Sequence, residues 1–300
     1  MKYEMLLSRI RNLGSVLVAY SGGVDSTLLA FAAHAVLGER VLAALAVSDV
    51  YPAAELDSAR STAAALGLRL VEVETCELVD PHFRANGPDR CYHCKTELFS
   101  LLRSHADARG LRWVLDGSNV DDLADHRPGR RAAAEYGVIS PLQDAGMHKA
   151  DVRDTARMLD LPNWDKPSMA CLASRFPYGT PITEPDLHRV AMAEEGLRAI
   201  GLHQFRVRTH GDVARLEVDP SEQERAFEMR AEVAGILREA GFPYAAQDLD
   251  GYRSGSLNET LSEEDAAAAE EPEPPAQPAK AASSRRSKSG AKGSSTVTSP

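Results

Sequence analysis

The residues best suited to chemistry lie in VLVAYSGGVDS, residues 16–26, where an apolar segment runs into a glycine turn and then into a helical pattern. Glycines lack a Cβ, so successive backbone N–H groups can approach phosphate oxygens, and the following helix adds its positive end. Asp25 offers a hard oxygen ligand of the kind that Mg²⁺ prefers. The segment therefore predicts a triphosphate and Mg²⁺ site whose candidate phosphate-binding residues are Ser21, Gly22, Gly23 and Ser26.

Thiols form the second group of chemically capable side chains. Cys91 and Cys94 make a CxxC pair in DRCYHCKTELF, which we predict to be a loop entering a helix. A single CxxC pair is compatible with half of a zinc site, a redox pair or part of an iron–sulfur cluster. Cys171 lies much later, in ACLASRFPYG, and Cys76 follows a predicted strand, where we expect a buried structural thiol.

Alternating strands and helices must position these residues. The predicted strands are VLVAY, VLAALAV (41–47), LRLVEVET (68–75) and RWVLDGS (112–118), and the predicted helices between them are 24–37, 53–66 and 96–109. This alternation is typical of an α/β fold with a doubly wound parallel sheet, whose ligands bind at the carboxyl ends of the strands. The glycine turn falls at such an end, and so do Gly117 and Asn119. We therefore expect both strand ends to line one crevice.

A second, smaller α/β unit is predicted after this sheet. Its elements are a helix over 184–200, the strands FRVRTHG and VARLEVD, a helix over 221–240, and a closing strand and turn in YAAQDLDGYRSGS. We predict domains at 1–168 and 169–261, followed by a tail at 262–300. The tail contains no Leu, Ile, Met or aromatic residue, so we expect it to be disordered.

Charge and cysteine content limit the classes of partner. The 300 residues carry a formal net charge of −10, and residues 262–300 hold six acidic and five basic side chains, which leaves about −9 on the rest. An acidic body disfavours a large nucleic-acid interface, because phosphate binding needs a basic face. Apolar runs are interrupted by charges or small residues, so no membrane span is expected. Four cysteines without secretory context are typical of a reducing cytoplasm, the expected location.

SGGVDS resembles the PP-loop of N-type ATP pyrophosphatases, a group that includes GMP synthetase, NAD synthetase, asparagine synthetase and tRNA thiolation enzymes. A Walker A loop would require GxxxxGK[ST], and that pattern does not surround these residues. The resemblance implies that ATP is cleaved between its α and β phosphates, that AMP is transferred to a substrate oxygen, and that pyrophosphate is released.

Residues 1 to about 260 resemble the LarE-type ATP-dependent sulfur transferases, the pyridinium-3,5-bisthiocarboxylic acid mononucleotide synthases of nickel-pincer cofactor biosynthesis. The resemblance rests on SGGVDS, DGSNVDD, MHKADVRDTARMLDLPNWDKPS, ACLASRFPYG, FRVRTHGDVARLEV and GYRSGSLNE. It implies a mononucleotide substrate whose two carboxylates are adenylated and converted to thiocarboxylates. It further implies ATP and Mg²⁺ as cofactors, a sulfide donor such as a cysteine desulfurase as partner, and a homo-oligomer.

The same resemblance assigns the sulfur chemistry to the cysteines. Cys171 matches the residue that gives up its own sulfur, and becomes dehydroalanine, in family members with only that cysteine. This chain also carries CYHC, and Cys91, Cys94 and Cys171 together resemble the branch in which three cysteines hold a [4Fe-4S] cluster with one iron open to added sulfide. The first interpretation makes the protein a sacrificial donor, whereas the second makes sulfur transfer catalytic.

A mononucleotide substrate requires a clamp for its phosphate. Arg206 and Arg208 alternate along one predicted strand and therefore share a face, where planar guanidinium groups can bind a phosphate. Glu194 matches a family position that can hold a metal, and a solvated helix face is its plain alternative. Further candidates for substrate contact are Ser174, Arg175, Arg253 and Tyr92, the last of which either stacks on the substrate or packs within the fold.

Three other functions stay open on the sequence alone. A tRNA thiolation enzyme also joins a PP-loop to cysteines, but it needs an RNA-binding module that the acidic body does not predict. An ammonia-dependent amidotransferase synthetase would use CYHC for a structural zinc. A non-enzymatic protein that binds adenine nucleotides is disfavoured, because Asp25 and both glycines of the turn are present.

Overall fold

Parallel strands form the first sheet of the computed structural model, which describes residues 2–123, 128–167, 170–253 and 255–262. The strands are β1 (Val16–Tyr20), β2 (Val41–Val47), β3 (Leu70–Glu74) and β4 (Trp113–Leu115). Their order across the sheet is β3–β2–β1–β4, and every neighbouring pair is parallel. Their carboxyl ends therefore share one edge, which is where an α/β sheet of this kind binds its ligands.

Helices cover both faces of this sheet. They are α1 (Lys2–Leu13), α2 (Val24–Leu37), α3 (Ala53–Ala65), α4 (Pro81–Ala85), α5 (Arg90–Asp107), α6 (Gly129–Glu135), α7 (Pro141–Asp144) and α8 (Lys149–Met158). Val16 of β1 packs in one apolar core with Leu28 of α2, whereas Leu17 packs in another core with Phe99 of α5. Burial on both faces explains the continuous apolar sequence of β1. The predicted doubly wound α/β class is confirmed.

A second sheet follows residue 200. The elements of this region are α9 (Glu184–Ala199), β5 (Phe205–His210), β6 (Val213–Val218), α10 (Gln223–Glu228), α11 (Arg230–Glu239) and β7 (Tyr244–Gln247). β5 and β6 are antiparallel, and β6 and β7 are parallel. Val190 of α9 and Leu237 of α11 pack with Phe205 and Val207 of β5 in a further apolar core.

The predicted division into domains stays a prediction, because the described residues all belong to one compact unit, Met1–Glu270. The predicted tail at 262–300 lies outside the described residues except for Ser262. Within the described ranges, no helix combines the length and the apolar character that crossing a membrane requires.

Two predicted boundaries were wrong. α5 begins at Arg90 rather than at residue 96, so the CYHC cysteines lie in its first turn and not in a loop. Asp89, a residue type that favours the position before a helix, accepts the Tyr92 N–H at 2.7 Å through its carbonyl. The predicted helix over 221–240 divides at Met229, whose ψ of 12° lies outside the helical range.

Candidate functional site

The glycine turn between β1 and α2 is the centre of the candidate nucleotide site. Gly22 has a φ of +71°, and a Cβ there would lie 2.5 Å from the Cβ of Ala59 on α3, so glycine is required. Gly23 precedes α2 in an extended conformation. The Ser26 hydroxyl accepts the Ser21 N–H at 3.1 Å and donates to the Gly23 carbonyl at 3.1 Å. These bonds hold the turn at the α2 N-terminus, which favours a phosphate.

The Asp25 carboxylate joins this turn to the end of β4. Its Oδ1 accepts from Asn119 Nδ2 at 3.1 Å, and its Oδ2 forms an ion pair with Lys149 at the start of α8. Gly117 allows the close approach, because a Cβ there would lie 2.9 Å from the backbone nitrogen of Ser26. The structure therefore brings the two strand ends into one crevice, and the role of Asp25 as a Mg²⁺ ligand stays a prediction.

Lys149 is a site residue that sequence reasoning missed, because it lies 124 residues from Asp25 in the chain. Asp121 fixes its position by accepting the Lys149 N–H at 2.8 Å and by contacting His148 Nδ1 at 2.6 Å. The hydrogen bond from His148, followed by that from the Lys149 backbone, lowers the pKa of Asp121. A lysine in the first turn of a helix beside DGSNVDD was the available signal.

The segment after α8 covers the other side of the glycine turn. Asn163 Nδ2 donates to the Gly22 carbonyl and to Thr27 Oγ1, both at 2.9 Å. Lys166 Nζ lies 2.9 Å from a carboxylate oxygen of Glu55 on α3 and 3.5 Å from the Gly22 carbonyl. Asn163 Oδ1 is buried and has no hydrogen-bond partner among the described residues. Sequence reasoning missed both residues, since only the fold returns this segment to the turn.

The three predicted sulfur residues meet beside a second apolar core. Cys91 and Cys94 lie in the first turn of α5, and Cys171 precedes a 3₁₀ turn over Leu172–Arg175. Cys94, Cys171 and Tyr51 all pack against the same core. The pKa of Tyr51 is raised well above its usual range by burial first, and then by Cys94, Glu77, Cys171 and Cys91, which places all three thiols near its hydroxyl.

A buried carboxylate faces these thiols. Glu77 is 2% exposed, and its Oε1 accepts the Thr75 hydroxyl at 3.0 Å and lies 3.9 Å from Cys94 Sγ. Burial raises the pKa of Cys94 well above its usual range; Lys95 opposes that shift, and the negative charges of Glu77, Cys171 and Cys91 reinforce it. Cys94 is therefore held as a neutral thiol at neutral pH.

The thiols are not arranged as a finished metal site. In the part of the chain that the structure describes, no three His, Cys, Asp or Glu side chains have the geometry to hold a metal ion. The donor chemistry nevertheless fits an iron–sulfur cluster, because three thiols converge beside an apolar core. The expectation that Cys76 is a buried structural thiol was wrong. It is exposed, because the strand ends before it and its N–H bonds to Glu97 at the surface.

Arg175 and Glu194 form a buried ion pair. Their side chains are 0% and 1% exposed, and two parallel contacts of 2.8 Å join the guanidinium to the carboxylate. Burial raises the pKa of Glu194, but the Arg175 charge outweighs burial, and the net shift is downward. The alternative that Glu194 lies on a solvated helix face was wrong, because α9 turns this side toward β5, where the Val207 N–H binds the carboxylate at 3.1 Å. Its metal-binding role stays a prediction.

Arg206 and Arg208 extend this charged region. Arg208 bonds to Glu217 at 3.0 Å and to the Ser174 carbonyl, and Arg206 lies over the ring of Tyr252 at 4.9 Å. Burial, and then the positive charge of Arg175, lower the pKa of Arg206 to about 10. Both strand arginines are buried, and Arg206 lies close enough to Arg175 for the two charges to repel each other.

Two other predicted substrate contacts lie elsewhere. Arg253 is exposed and pairs with Glu259 at 2.9 Å, so the structure does not bring it to the buried arginines. The Tyr92 ring packs under the Arg131 guanidinium at 3.4 Å, and its hydroxyl bonds to Glu135 at 2.9 Å. The alternative that Tyr92 packs within the fold therefore describes its place in this structure.

Comparisons with known proteins agree with this geometry. An uncharacterised protein of Synechocystis sp. is 43% identical over 263 residues, which cover 87% of this chain and 98% of that protein. The pyridinium-3,5-bisthiocarboxylic acid mononucleotide synthase of Lactiplantibacillus plantarum is 39% identical over 262 residues, covering 87% and 95%. One of the subunits of the glutamine-hydrolysing GMP synthase of Methanocella arvoryzae is 26% identical over 219 residues, covering 64% and 67%. No family model matches the chain.

The parallel sheet, the SGGVDS turn between β1 and α2, and the GMP synthase relatives define the class: an α/β ATP pyrophosphatase of the PP-loop type. Identity of 39% along nearly the whole of the Lactiplantibacillus enzyme makes the family narrower. The chain belongs to the pyridinium-3,5-bisthiocarboxylic acid mononucleotide synthase family, the LarE-type sulfur transferases.

Proposed function

We propose that this protein is an ATP-dependent sulfur transferase that converts the two carboxylates of pyridinium-3,5-biscarboxylic acid mononucleotide to thiocarboxylates in nickel-pincer cofactor biosynthesis. The observation that carries the proposal is that the thiols lie at the strand edge that holds the nucleotide turn. The N–H of Leu172, next to Cys171, donates to the carbonyl of Val50 at 2.8 Å, and Val50 follows β2. The name and the coverage of the Lactiplantibacillus relative support the choice of substrate.

The first step activates a carboxylate. A carboxylate oxygen attacks the α-phosphorus of ATP, the bond from that phosphorus to the bridging oxygen breaks, and pyrophosphate leaves with the bonding electrons. The α2 N-terminus and the Lys149 ammonium would balance the charge of pyrophosphate. Asp25 and Asn119 supply the oxygen atoms that would hold Mg²⁺, which contributes further charge neutralisation when bound.

The second step transfers sulfur. A sulfur nucleophile at the cysteine site attacks the acyl carbon, and AMP leaves with the electrons of the acyl–oxygen bond, which frees the nucleotide site for activation of the second carboxylate. Cys91, Cys94 and Cys171 would hold a [4Fe-4S] cluster. When bound, such a cluster supplies an iron that can carry sulfide from an external donor, so that the sulfur of Cys171 is retained.

The buried arginines are the proposed phosphate clamp. Arg175 and Arg208 bind the carboxylates of Glu194 and Glu217, and repulsion from Arg175 contributes to the lowered pKa of Arg206, about 10. A phosphate group beside Arg206 would offset that repulsion and stabilise the charged guanidinium.

Ser174 connects the arginines to the thiols. Its carbonyl accepts from Arg208, and its hydroxyl donates to the Cys171 carbonyl at 2.9 Å. A phosphate bound at the arginines would therefore lie close in the fold to the segment that carries the sulfur, which supports the choice of a mononucleotide as the substrate.

Product analysis tests the proposal. With ATP, Mg²⁺, sulfide and the biscarboxylate, we expect equal amounts of AMP and pyrophosphate, and a substrate mass that rises as oxygen is replaced by sulfur. Asp25→Asn should abolish both products, whereas the exposed control Asp57→Asn on α3 should keep them. ADP and orthophosphate, or an amide made with ammonia in place of the thiocarboxylate, would contradict the proposal.

The cluster and the fate of Cys171 require separate measurements. Anaerobically reconstituted protein should bind about four irons per chain and absorb broadly in the visible range, and Ser at any of the three cysteines should lose both properties. Product should then exceed one thiocarboxylate per chain with the mass of the protein unchanged. One zinc bound by Cys91 and Cys94 with Cys171 freely alkylated would exclude the cluster, and loss of H₂S from Cys171 would identify a sacrificial donor.

A further inference from the structure

Buried polar side chains join the two segments that carry the thiols. Asn86, just before the CYHC helix, is 0% exposed and has a φ of +57°. Its Nδ2 donates to the carbonyls of Pro177 and Thr180 at 2.8 and 2.9 Å, and its own carbonyl accepts the Gly179 N–H at 2.9 Å. Asn86 therefore binds the chain that follows Cys171 from both its side chain and its backbone.

Arg90 makes the second half of this connection. It is 3% exposed, it is the first residue of α5, and its Nη1 donates both to Asn86 Oδ1 and, at 2.9 Å, to the carbonyl of Ala173. Arg90 directly precedes Cys91, and Ala173 lies two residues after Cys171. Burial acts to lower the pKa of Arg90, but the sulfurs of Cys91 and Cys171 outweigh it, which agrees with a guanidinium placed near both.

We propose that Asn86 and Arg90 are positioning residues that hold the Cys91–Cys94 pair within reach of Cys171. The proposal rests on the three-thiol site of the proposed function. Apolar contacts would also hold the two segments together, but hydrogen bonds fix a register because they depend on direction. A left-handed turn at residue 86 could be made by glycine, so a buried asparagine there indicates that the amide itself is used.

Arsenic probes separate two thiols from three without any metal cluster or substrate. Phenylarsine oxide condenses with two thiols and releases one water, whereas arsenous acid condenses with three thiols and releases three waters. The exposed Cys76 is first changed to Ser so that it does not compete. In this parent protein, arsenite should bind more tightly than in the same protein with Cys171→Ser, and ultraviolet absorption should report the third sulfur–arsenic bond.

Two conservative variants test the connection. Asn86→Gly keeps the left-handed backbone and removes the amide, and Arg90→Lys keeps the charge but removes the planar group that bridges Asn86 and Ala173. Each should weaken arsenite binding by about tenfold or more, because the third thiol loses its high effective concentration. Binding of phenylarsine oxide and of ATP should stay unchanged. Arg84→Lys, an exposed control on the same segment, should leave all three ligands unaffected.

The outcomes distinguish this inference from the function on which it rests. Selective loss of arsenite binding in both variants supports positioning. Equal weakening of both arsenic probes indicates a general loss of structure and overturns the inference, as does full retention of arsenite binding. If the parent binds arsenite no better than Cys171→Ser does, the three-thiol site itself fails, and both the cluster proposal and the positioning role fail with it.

Discussion

Changing Glu194 to Gln tests the buried ion pair that joins the Cys171 segment to α9. The substitution leaves the Arg175 guanidinium, which is 0% exposed, without its carboxylate. Removing one partner of a buried pair costs about 3–5 kcal/mol. The two contacts of 2.8 Å and the additional Val207 N–H bond at 3.1 Å place this pair at the upper end of that range. Urea unfolding followed by circular dichroism should show this loss in the free energy of unfolding.

The pH dependence of this loss has a defined sign. Burial raises the pKa of Glu194, but Arg175 outweighs burial, so the pKa in the folded protein is below the ordinary value. A lowered carboxyl pKa stabilises the fold above the unfolded pKa, about 4.3 for Glu, and this contribution is lost as the pH falls through the folded value. The difference between wild type and Glu194→Gln should therefore be constant at neutral pH and shrink below pH ~4.

The chain offers two controls for this measurement. Glu195 is the exposed neighbour on the same helix, and Glu195→Gln should change the free energy of unfolding by less than about 0.5 kcal/mol. Changing the pair together, Arg175→Met with Glu194→Leu, should recover most of the lost stability, because it leaves no charge of this pair buried without its partner. If Glu194→Gln unfolds at the same urea concentration as Glu195→Gln, the reasoning about this pair is wrong.

Two further predictions concern the nucleotide turn and the thiols. Gly22→Ala should abolish ATP binding in calorimetry, because the new Cβ meets the backbone and side chain of Ala59 at 2.8 and 2.5 Å; Gly67→Ala, with a similar φ and no atom within 4 Å, should retain it. Iodoacetamide at pH 7.5 should label the exposed Cys91 well before Cys94, whose raised pKa keeps it protonated, and the Cys94 rate should increase with pH up to and beyond pH ~9. Equal ATP affinity in the two Gly variants, or equal labelling of both thiols, would contradict these arguments.

Local patterns were sufficient for the nucleotide turn and its sheet. The apolar run of β1, the glycines after it and the apolar α2 are contiguous in the chain, so their contacts follow from their order. The parallel arrangement follows as well, because strands that alternate with helices pair in this way. Gly117 and Asn119 were predicted to lie nearby for the same reason, since carboxyl ends of parallel strands share an edge.

Contacts made over long distances in the chain could not be predicted in this way. Lys149 and Asn163 reach the nucleotide turn only because α8 returns to it, and neither has a neighbour in sequence that signals this. Glu194 looked like a surface residue because Glu195 follows it, yet the helix turns one of the two toward β5 and the other toward solvent. Side-chain periodicity identifies a helix, but it does not tell which charged residue will meet a buried arginine.

The arginine region also shows why net charge is a poor guide to ligands. The chain is acidic overall, at −10, yet it buries Arg175, Arg206 and Arg208 side by side with two carboxylates, Glu194 and Glu217. The lowered pKa of Arg206, about 10, reports its burial and the repulsion from Arg175. Keeping a guanidinium charged against burial and repulsion lowers stability, and an anionic ligand would reverse that loss. A protein that retains this arrangement is organised for an anion at one buried place, whatever the sign of its surface.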